Sequence, residues 1–290
     1  MKKFKILIPV YNDWESLLAL LDEINKVIQN IENSEFHCVI INDASTIKAP
    51  QIKTPHSIKS LKVINMKKNK GHARSNAFGI KYLAKYDNFD FLIVMDGDGE
   101  DRPEEIKFLY ESIISEPGTS VVAKRVKRSE GPFFQLLYQT HKLLTFIFTG
   151  KNINFGNYSC LTKNDVKVLS GKKSLWSSFS GSVKKHIFKL NSINSTRGKR
   201  YFGPSKMSLI NLIIHSFAII AVFKNNVFIR SAILLIIISY INLNNDLINI
   251  FLQISLVIFN LMIYTVSFRE NEREFLASNS NLKNISEYTH

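Results

Sequence analysis

The sequence predicts an α/β fold: a mostly parallel sheet with helices on both faces, followed by C-terminal transmembrane helices. Three observations point there. Short apolar runs alternate with helical patterns from the start of the chain to Asp96-Gly97-Asp98. Each run ends in polar residues. After Lys206 the composition turns strongly apolar. Strands alternating with helices build parallel sheets through right-handed crossovers, which gather the loops at the strands' carboxyl ends along one edge.

The first strand is Phe4-Lys5-Ile6-Leu7-Ile8-Pro9-Val10, closed by the polar turn at Tyr11-Asn12. An amphipathic helix is predicted over about residues 13–31, with Leu17, Leu18, Leu21, Ile24, Val27, Ile28 and Ile31 at helical spacing. The second strand runs from Phe36 to Asn42 and ends at Asp43-Ala44-Ser45. The third, from Leu61 to Met66, leads through Asn69-Lys70-Gly71 into a helix reaching about Tyr86. Between them, the stretch from Thr46 to Ser60, with Pro50 and Pro55, reads as a connecting loop. The fourth strand, Phe89 to Met95, is continuously apolar with a β-branched centre, as a strand buried on both faces must be.

That fourth strand delivers Asp96 and Asp98 to the edge where open α/β sheets bind ligands. Two carboxylates two residues apart can grip one divalent cation. Hard cations such as Mg²⁺ take few protein ligands and complete their shell with phosphate and water. The pair therefore points to metal-assisted chemistry on a diphosphate.

Taken together, Pro9-Val10-Tyr11-Asn12, Asn42-Asp43-Ala44-Ser45, Asn69-Lys70-Gly71 through Asn76, and Asp96-Gly97-Asp98 resemble the successive motifs of family 2 glycosyltransferases with the GT-A fold. The sequel Glu100-Asp101-Arg102-Pro103-Glu104-Glu105 is similar to polyprenyl-phosphate glycosyltransferases of the dolichol-phosphate mannose synthase type. Arg200-Tyr201-Phe202-Gly203-Pro204-Ser205-Lys206 resembles that subgroup's late basic signature. The likeness spans about residues 4–206 and continues into the membrane architecture.

The resemblance implies roles. Pro9, Tyr11, Asn12 and Asp43 would form the nucleotide pocket, joined by Lys70, Gly71 and Arg74. Asp96 and Asp98 would hold Mg²⁺ or Mn²⁺, with Glu100, where Gln is usual, as a third ligand. Arg125 and Arg128 lie where the subgroup binds phosphate, and Arg200 and Lys206 would bind the acceptor phosphate or the leaving diphosphate. Arg offers planar paired donors to phosphate, and Lys a point charge. One departure stands out. Where the subgroup has Gly-Asp-Phe-Arg, this chain reads Gly156-Asn157-Tyr158-Ser159, and Asn157 cannot take a proton. A phosphate acceptor is already anionic and needs no base. A hydroxyl acceptor would need one, for which Asp101 and Glu130 are candidates.

Composition agrees with a membrane-surface enzyme. The chain of 290 residues carries 38 Lys and Arg against 24 Asp and Glu, a formal net charge of +14. Such a balance favours anionic partners, including anionic lipid head groups. No nucleic-acid-binding motif occurs, so nucleic acid is not expected as a partner. The two cysteines, Cys38 and Cys160, lack metal-site spacing and read as packing thiols. The apolar run after Met1-Lys2-Lys3 is too short for a signal peptide and belongs to the first strand.

The expected organisation is a catalytic domain over 1–205, a juxtamembrane interfacial helix over 206–226, two transmembrane helices within 227–268 and a mobile polar tail over 269–290. The spans, about 227–243 and 247–268, approach the ~20 residues a helix needs to cross a bilayer. The link Asn244-Asn245-Asp246 has no positive charge, whereas Lys206, Lys224, Arg230, Arg269 and Arg273 flank the outer ends. The positive-inside bias then puts the catalytic domain and the tail on the cytoplasmic side of the inner membrane. The apolar stretch from Phe133 to Phe148 suits an interfacial helix or a core helix equally. Lys124 to Gly131 reads as a cover over the donor.

The function expected is an inverting, metal-dependent transfer of a sugar from UDP or GDP to a polyprenyl phosphate. Two other readings stay open: extension of a lipid-linked saccharide or envelope glycan at a hydroxyl, and a catalytically degenerate membrane assembly partner. A homo-oligomer is compatible with the subgroup's assemblies, and no residue requires it.

Overall fold

The computed structural model describes residues 1–127, 132–204, 208–240 and 246–289. Arg128, Glu130 and Lys206, as well as the central part of the membrane link, lie outside the described residues.

Strand β1 (Lys2–Val10) is followed by α1 (Trp14–Ile28), β2 (Ser34–Asn42), β3 (Ile58–Met66), α2 (His72–Tyr86) and β4 (Phe91–Val94). After a 3₁₀ turn at Pro103–Glu105 come α3 (Ile106–Ser115), β5 (Ser120–Lys127), α4 (Pro132–Thr149), β6 (Phe155–Thr162) and α5 (Lys163–Ser170). A second 3₁₀ turn, Lys173–Trp176, leads to α6 (Phe179–His186) and β7 (Leu190–Thr196). The C-terminal part comprises α7 (Leu209–Ala221), α8 (Lys224–Tyr240), α9 (Asp246–Ser267), α10 (Glu272–Leu276) and β8 (Leu282–Tyr288).

One sheet of order β7-β5-β6-β4-β1-β2-β3-β8 runs through the molecule. Its centre, β4-β1-β2-β3, is parallel throughout, and β7 runs parallel to β5. β6 runs antiparallel between β4 and β5, and β8 runs antiparallel along β3. The mostly parallel expectation thus holds at the centre, with antiparallel strands set into both sides.

Alternation along β1 explains its central position. Phe4, Ile6, Ile8 and Val10 enter the core beneath α1 and α3, while Leu7 enters the one beneath α2, α5 and α6. A strand buried on both faces can only sit inside a sheet. In α1, Leu17, Leu20, Leu21, Ile24 and Ile28 are buried at helical spacing. Each such side chain contributes about 1.5–3 kcal/mol of burial. A third apolar cluster joins Phe148 of α4, Ile220 of α7, Val227 of α8, and Leu256 and Ile263 of α9.

The parallel centre sets the position of the site. β1, β2 and β4 all end at the same edge, bringing together Tyr11–Asp13, Asp43 and Asp96–Asp98. β3 adds Asn69–Gly71. β6 begins at that edge with Gly156 and Asn157 because it is antiparallel to β4.

α9 has 22 residues, about 33 Å of helix, enough to cross a hydrocarbon core of about 30 Å. Among the described residues, the segment from Asp246 is the one helical stretch long and apolar enough to cross a membrane by itself. α7 and α8 meet at 87° and reach that criterion only as one broken span. Many outward side chains of α8 and α9 are apolar, among them Ile229, Ile236, Phe251 and Leu261. α4 also presents Leu136, Leu143 and Phe146 to the outside, so it is not a core helix.

The C-terminal segment differs from the expected mobile tail. β8 pairs with β3 from Leu61↔Tyr288 to Met66↔Leu282. Phe275 is 2% exposed and packs against Trp176, with ring centroids 5.9 Å apart. Lys81 Nζ donates to the carbonyls of Phe275 and Leu276 at 2.6 and 2.7 Å. The polar composition that reads as a tail is that of an edge strand with one wet face.

Two outcomes follow. Cys38 and Cys160 are fully buried, and burial pushes the Cys38 thiol up to about 12 and raises Cys160 likewise. A thiol reagent should therefore titrate no cysteine in the native protein and two after denaturation; native reactivity would contradict this packing. Phe275→Ala should cost about 3–5 kcal/mol of local stability. Hydrogen exchange should then accelerate in β8 but stay slow in β1, and unchanged β8 protection would mean that Phe275 does not anchor it.

Candidate active site

The acidic loop after β4 is wound tightly. Asp101 is buried, and its Oδ2 accepts the Asp96 N–H at 2.9 Å. Asp98 Oδ1 accepts the Glu100 N–H at 3.0 Å. Gly99 sits at φ +88°, where only glycine is relaxed, and a Cβ there would fall 2.6 Å from the Tyr201 ring. The segment after β7 closes over the loop: Gly198 N–H donates to Glu100 O at 2.8 Å, and Tyr201 N–H to Asp98 O at 3.0 Å.

Charge is concentrated here. Arg200 bridges Asp98 and Asp13 with contacts of 2.5 Å each. Arg197 pairs with Glu100. Burial pushes the Asp98 carboxyl up to about 6, helped by the charges of Asp96 and Glu100. Burial and Asp96 likewise push Asp101 up to about 7. Burial alone would raise Asp96 too, but His72, the Asn157 amide and the Arg125 charge hold it well below the usual carboxylate range.

Asn157 donates to Asp96 Oδ1 at 3.0 Å. His72 Nε2 lies 3.1 Å from that same oxygen, 2.7 Å from the Asn157 amide nitrogen and 3.0 Å from that of Asn76. Gly156 leaves room for Arg125, since a Cβ on it would fall 2.5 Å from a guanidinium nitrogen. His215 on α7 lies within electrostatic reach of His72, Arg125 and Asp96.

The other residues expected at the site gather along the same edge. Asp43 is 3% exposed, and its two oxygens accept the N–H groups of Lys70 at 2.9 Å and Gly71 at 2.7 Å. Both carboxylate oxygens of Asp43 thus clasp the loop that opens α2. Asn12, at φ 52°, holds the start of the next loop, its Oδ1 accepting the N–H groups of Thr46 and Ile47. Pro9 is buried inside β1, whereas Tyr11 is exposed at the edge. Lys70 Nζ pairs with Glu274 of α10 at 3.0 Å, and an Arg74 nitrogen lies 3.9 Å from the same carboxylate.

Among the described residues, no group of three or more His, Cys, Asp or Glu side chains is arranged to hold a metal ion. The donor chemistry of Asp96 and Asp98 nevertheless fits a hard divalent cation, because the crowding of Asp98 by Asp96 and Glu100 is relieved by positive charge. Glu100, expected as a third ligand, is turned to Arg197.

Sequence reasoning did not single out Asp13, His215 or Glu274. Asp13 directly follows the Pro9–Asn12 motif, which is a signal available in the sequence. His215 stands out only as a polar residue in an apolar helix, and Glu274 carries no signal, because folding alone brings it to Lys70.

The sheet order and the acidic loop at its edge are those of a mixed α/β glycosyltransferase-type fold. The chain belongs to glycosyl transferase family 2, whose family model matches residues 5–175. It is 27% identical over 169 residues to the undecaprenyl-phosphate 4-deoxy-4-formamido-L-arabinose transferase of Yersinia pestis (strain Pestoides F), covering 56% of this chain and 48% of that protein. The corresponding transferase of Photorhabdus laumondii is 25% identical over 56% of this chain and 49% of its own length. The chain thus spans about half the length of the relatives it matches. In structure it is similar to glucosyl-3-phosphoglycerate synthase from Mycobacterium tuberculosis, solved with Mn²⁺, UDP-glucose and phosphoglyceric acid (TM-score 0.51, 11% identity, 78% of this chain and 80% of that one). It is also similar to the mannosyltransferase PcManGT from Pyrobaculum calidifontis, solved with GDP-Man and Mn²⁺ (TM-score 0.50, 11% identity, 93% and 88%). These likenesses establish the GT-A fold, and the family model makes the chain a glycosyl transferase family 2 domain.

Gly156→Ala tests the packing that holds Arg125. The added methyl would push the end of a flexible side chain, so stability should change by less than about 1 kcal/mol. Transfer should fall on the order of a hundredfold, the scale expected for about 1 Å of displacement at a reacting centre. Full activity in a folded G156A protein would remove Arg125 from the site.

Proposed function

We propose that this chain moves a sugar from UDP or GDP to a polyprenyl phosphate at the cytoplasmic face of a membrane, with inversion at the anomeric carbon and with Mg²⁺ or Mn²⁺. The observation that carries the reading is the gathering of acidic and guanidinium groups on one sheet edge: Arg200 pairs with Asp98, Arg197 with Glu100, and the charge of Arg125 acts on Asp96. Acidic groups for a cation beside planar donors for phosphate suit a diphosphate leaving group and a phosphate acceptor. The relatives in Yersinia and Photorhabdus, by name undecaprenyl-phosphate transferases, support the acceptor class. The neighbours solved with Mn²⁺ and UDP-glucose or GDP-Man support the donor and metal class.

Asp96 and Asp98 would hold the cation, which when bound would neutralise charge on the donor diphosphate. Arg200, which bridges Asp98 and Asp13, would present its guanidinium to an incoming phosphate. Asn157 orients Asp96 and takes no proton, which suits an acceptor that is already anionic. Asp43 fixes the loop carrying Lys70 and Gly71 for the nucleotide. α4, α7, α8 and α9 form the membrane-facing side, with α7 lying in the head-group plane and α8 and α9 crossing. The basic ends at Lys224, Arg230, Arg269 and Arg273 would face the cytoplasm.

The test uses purified full-length protein in detergent, undecaprenyl phosphate, labelled UDP- and GDP-sugars, and Mg²⁺ or Mn²⁺. Metal-dependent label in the lipid fraction is expected, reduced at least about a hundredfold by Asp98→Asn. Nucleotide binding without any lipid label across the donor panel would refute the phosphate acceptor and direct attention to a hydroxyl acceptor.

A further inference from the structure

We infer that Glu274, in the segment after the membrane helix, is a positioning residue for the nucleotide site. The inference rests on reading Lys70 and Arg74 as donor-binding residues and adds an element from the other end of the chain.

The geometry is a clamp. Glu274 Oε1 accepts from Lys70 Nζ at 3.0 Å, and Oε2 accepts from Trp176 Nε1 at 3.0 Å. Arg74 approaches the same carboxylate and lies over the Trp176 ring, 5.7 Å from its centroid. From the opposite side, Asp43 holds the backbone of Lys70 and Gly71. The opening turn of α2 is thus held through its backbone by Asp43 and through its side chains by Glu274.

Glu274 is itself well supported. The Asn271 side chain accepts the Glu274 N–H at 3.0 Å and caps α10. Phe275 anchors the next position in the core, and Lys81 ties down the carbonyls of Phe275 and Leu276. β8 fixes the remainder of the segment to β3. A four-residue turn, residues 268–271, leads from α9 into this short helix. The membrane helix and the nucleotide edge are therefore joined by a short turn and a docked helix whose Glu274 meets Lys70 and Arg74.

Holding two long cationic side chains in place before a ligand arrives lowers the ordering cost of binding. Removing the Glu274 charge would release Lys70, Arg74 and the Trp176 N–H together. It would also make the pocket more basic, which alone would favour an anion. The clamp and the charge effect thus predict opposite signs.

The experiment is calorimetric titration of UDP and GDP, with Mn²⁺, into full-length protein in detergent. Glu274→Gln should weaken the nucleotide that binds roughly three- to tenfold, with Tm moving less than about 3 °C. Glu272→Gln, which removes an exposed partner of Lys173 from the same helix, should leave affinity unchanged. Lys70→Gln should weaken binding, and adding Glu274→Gln to it should bring a smaller further loss than Glu274→Gln brings alone, because part of its effect runs through the Lys70 contact. In transfer assays, Glu274→Gln should raise the donor KM and leave kcat unchanged. Unchanged or tighter binding in E274Q, or fully additive losses in the double variant, would overturn the inference alone. Wild-type protein that binds neither nucleotide would overturn the donor-site reading and this inference with it. If E274Q does not fold, Trp176→Phe asks the same question: weaker nucleotide binding supports the clamp, and unchanged affinity overturns it.

Discussion

Crowded negative charge at the end of β4 is the constraint on which the rest of the site depends. Asp96, Asp98, Glu100 and Asp101 occupy six residues of chain, and none is fully hydrated. In a poorly hydrated place such groups repel strongly unless each is matched. The structure matches each one separately. Asp101 takes a backbone N–H, Glu100 takes Arg197, Asp98 takes Arg200, and Asp96 takes Asn157 and His72. The segment after β7 lies over this loop because two of those partners sit on it.

This arrangement links folding to chemistry. Guanidinium groups that neutralise an acidic loop also hold that loop to the segment after β7. Arg200 illustrates this, since it spans Asp98 of the acidic loop and Asp13 at the start of α1. The motifs after β1 and β4 are thereby joined by a side chain far away in sequence. His215 on α7 lies close enough to feel the charges of His72, Arg125 and Asp96.

Much of this was legible in the sequence. The continuous apolar run of β4 could only be a strand buried on both faces, and the residues after it had to emerge at a sheet edge. The helical spacing of α1 and the ends of β1 and β2 were equally readable, because local periodicity reports burial directly. The antiparallel insertion of β6 was not readable, since strand direction is set by pairing and not by composition. The polar segment after α9 carries no apolar alternation strong enough to mark β8, and one buried residue, Phe275, decides where it docks.

By itself the sequence determined the family. Acidic residues after a buried strand, ordered motifs at successive strand ends and a late basic segment specify the fold family and the sheet edge where these residues gather. Only the tertiary structure decided the partners: Glu100 with Arg197 rather than beside Asp98, Asp43 against the backbone of the α2 loop, and Glu274 on Lys70. The reason is physical. Periodicity and residue type fix what each segment must bury, but which charges meet depends on distances that exist only after the sheet has closed and the ends of the chain have come together.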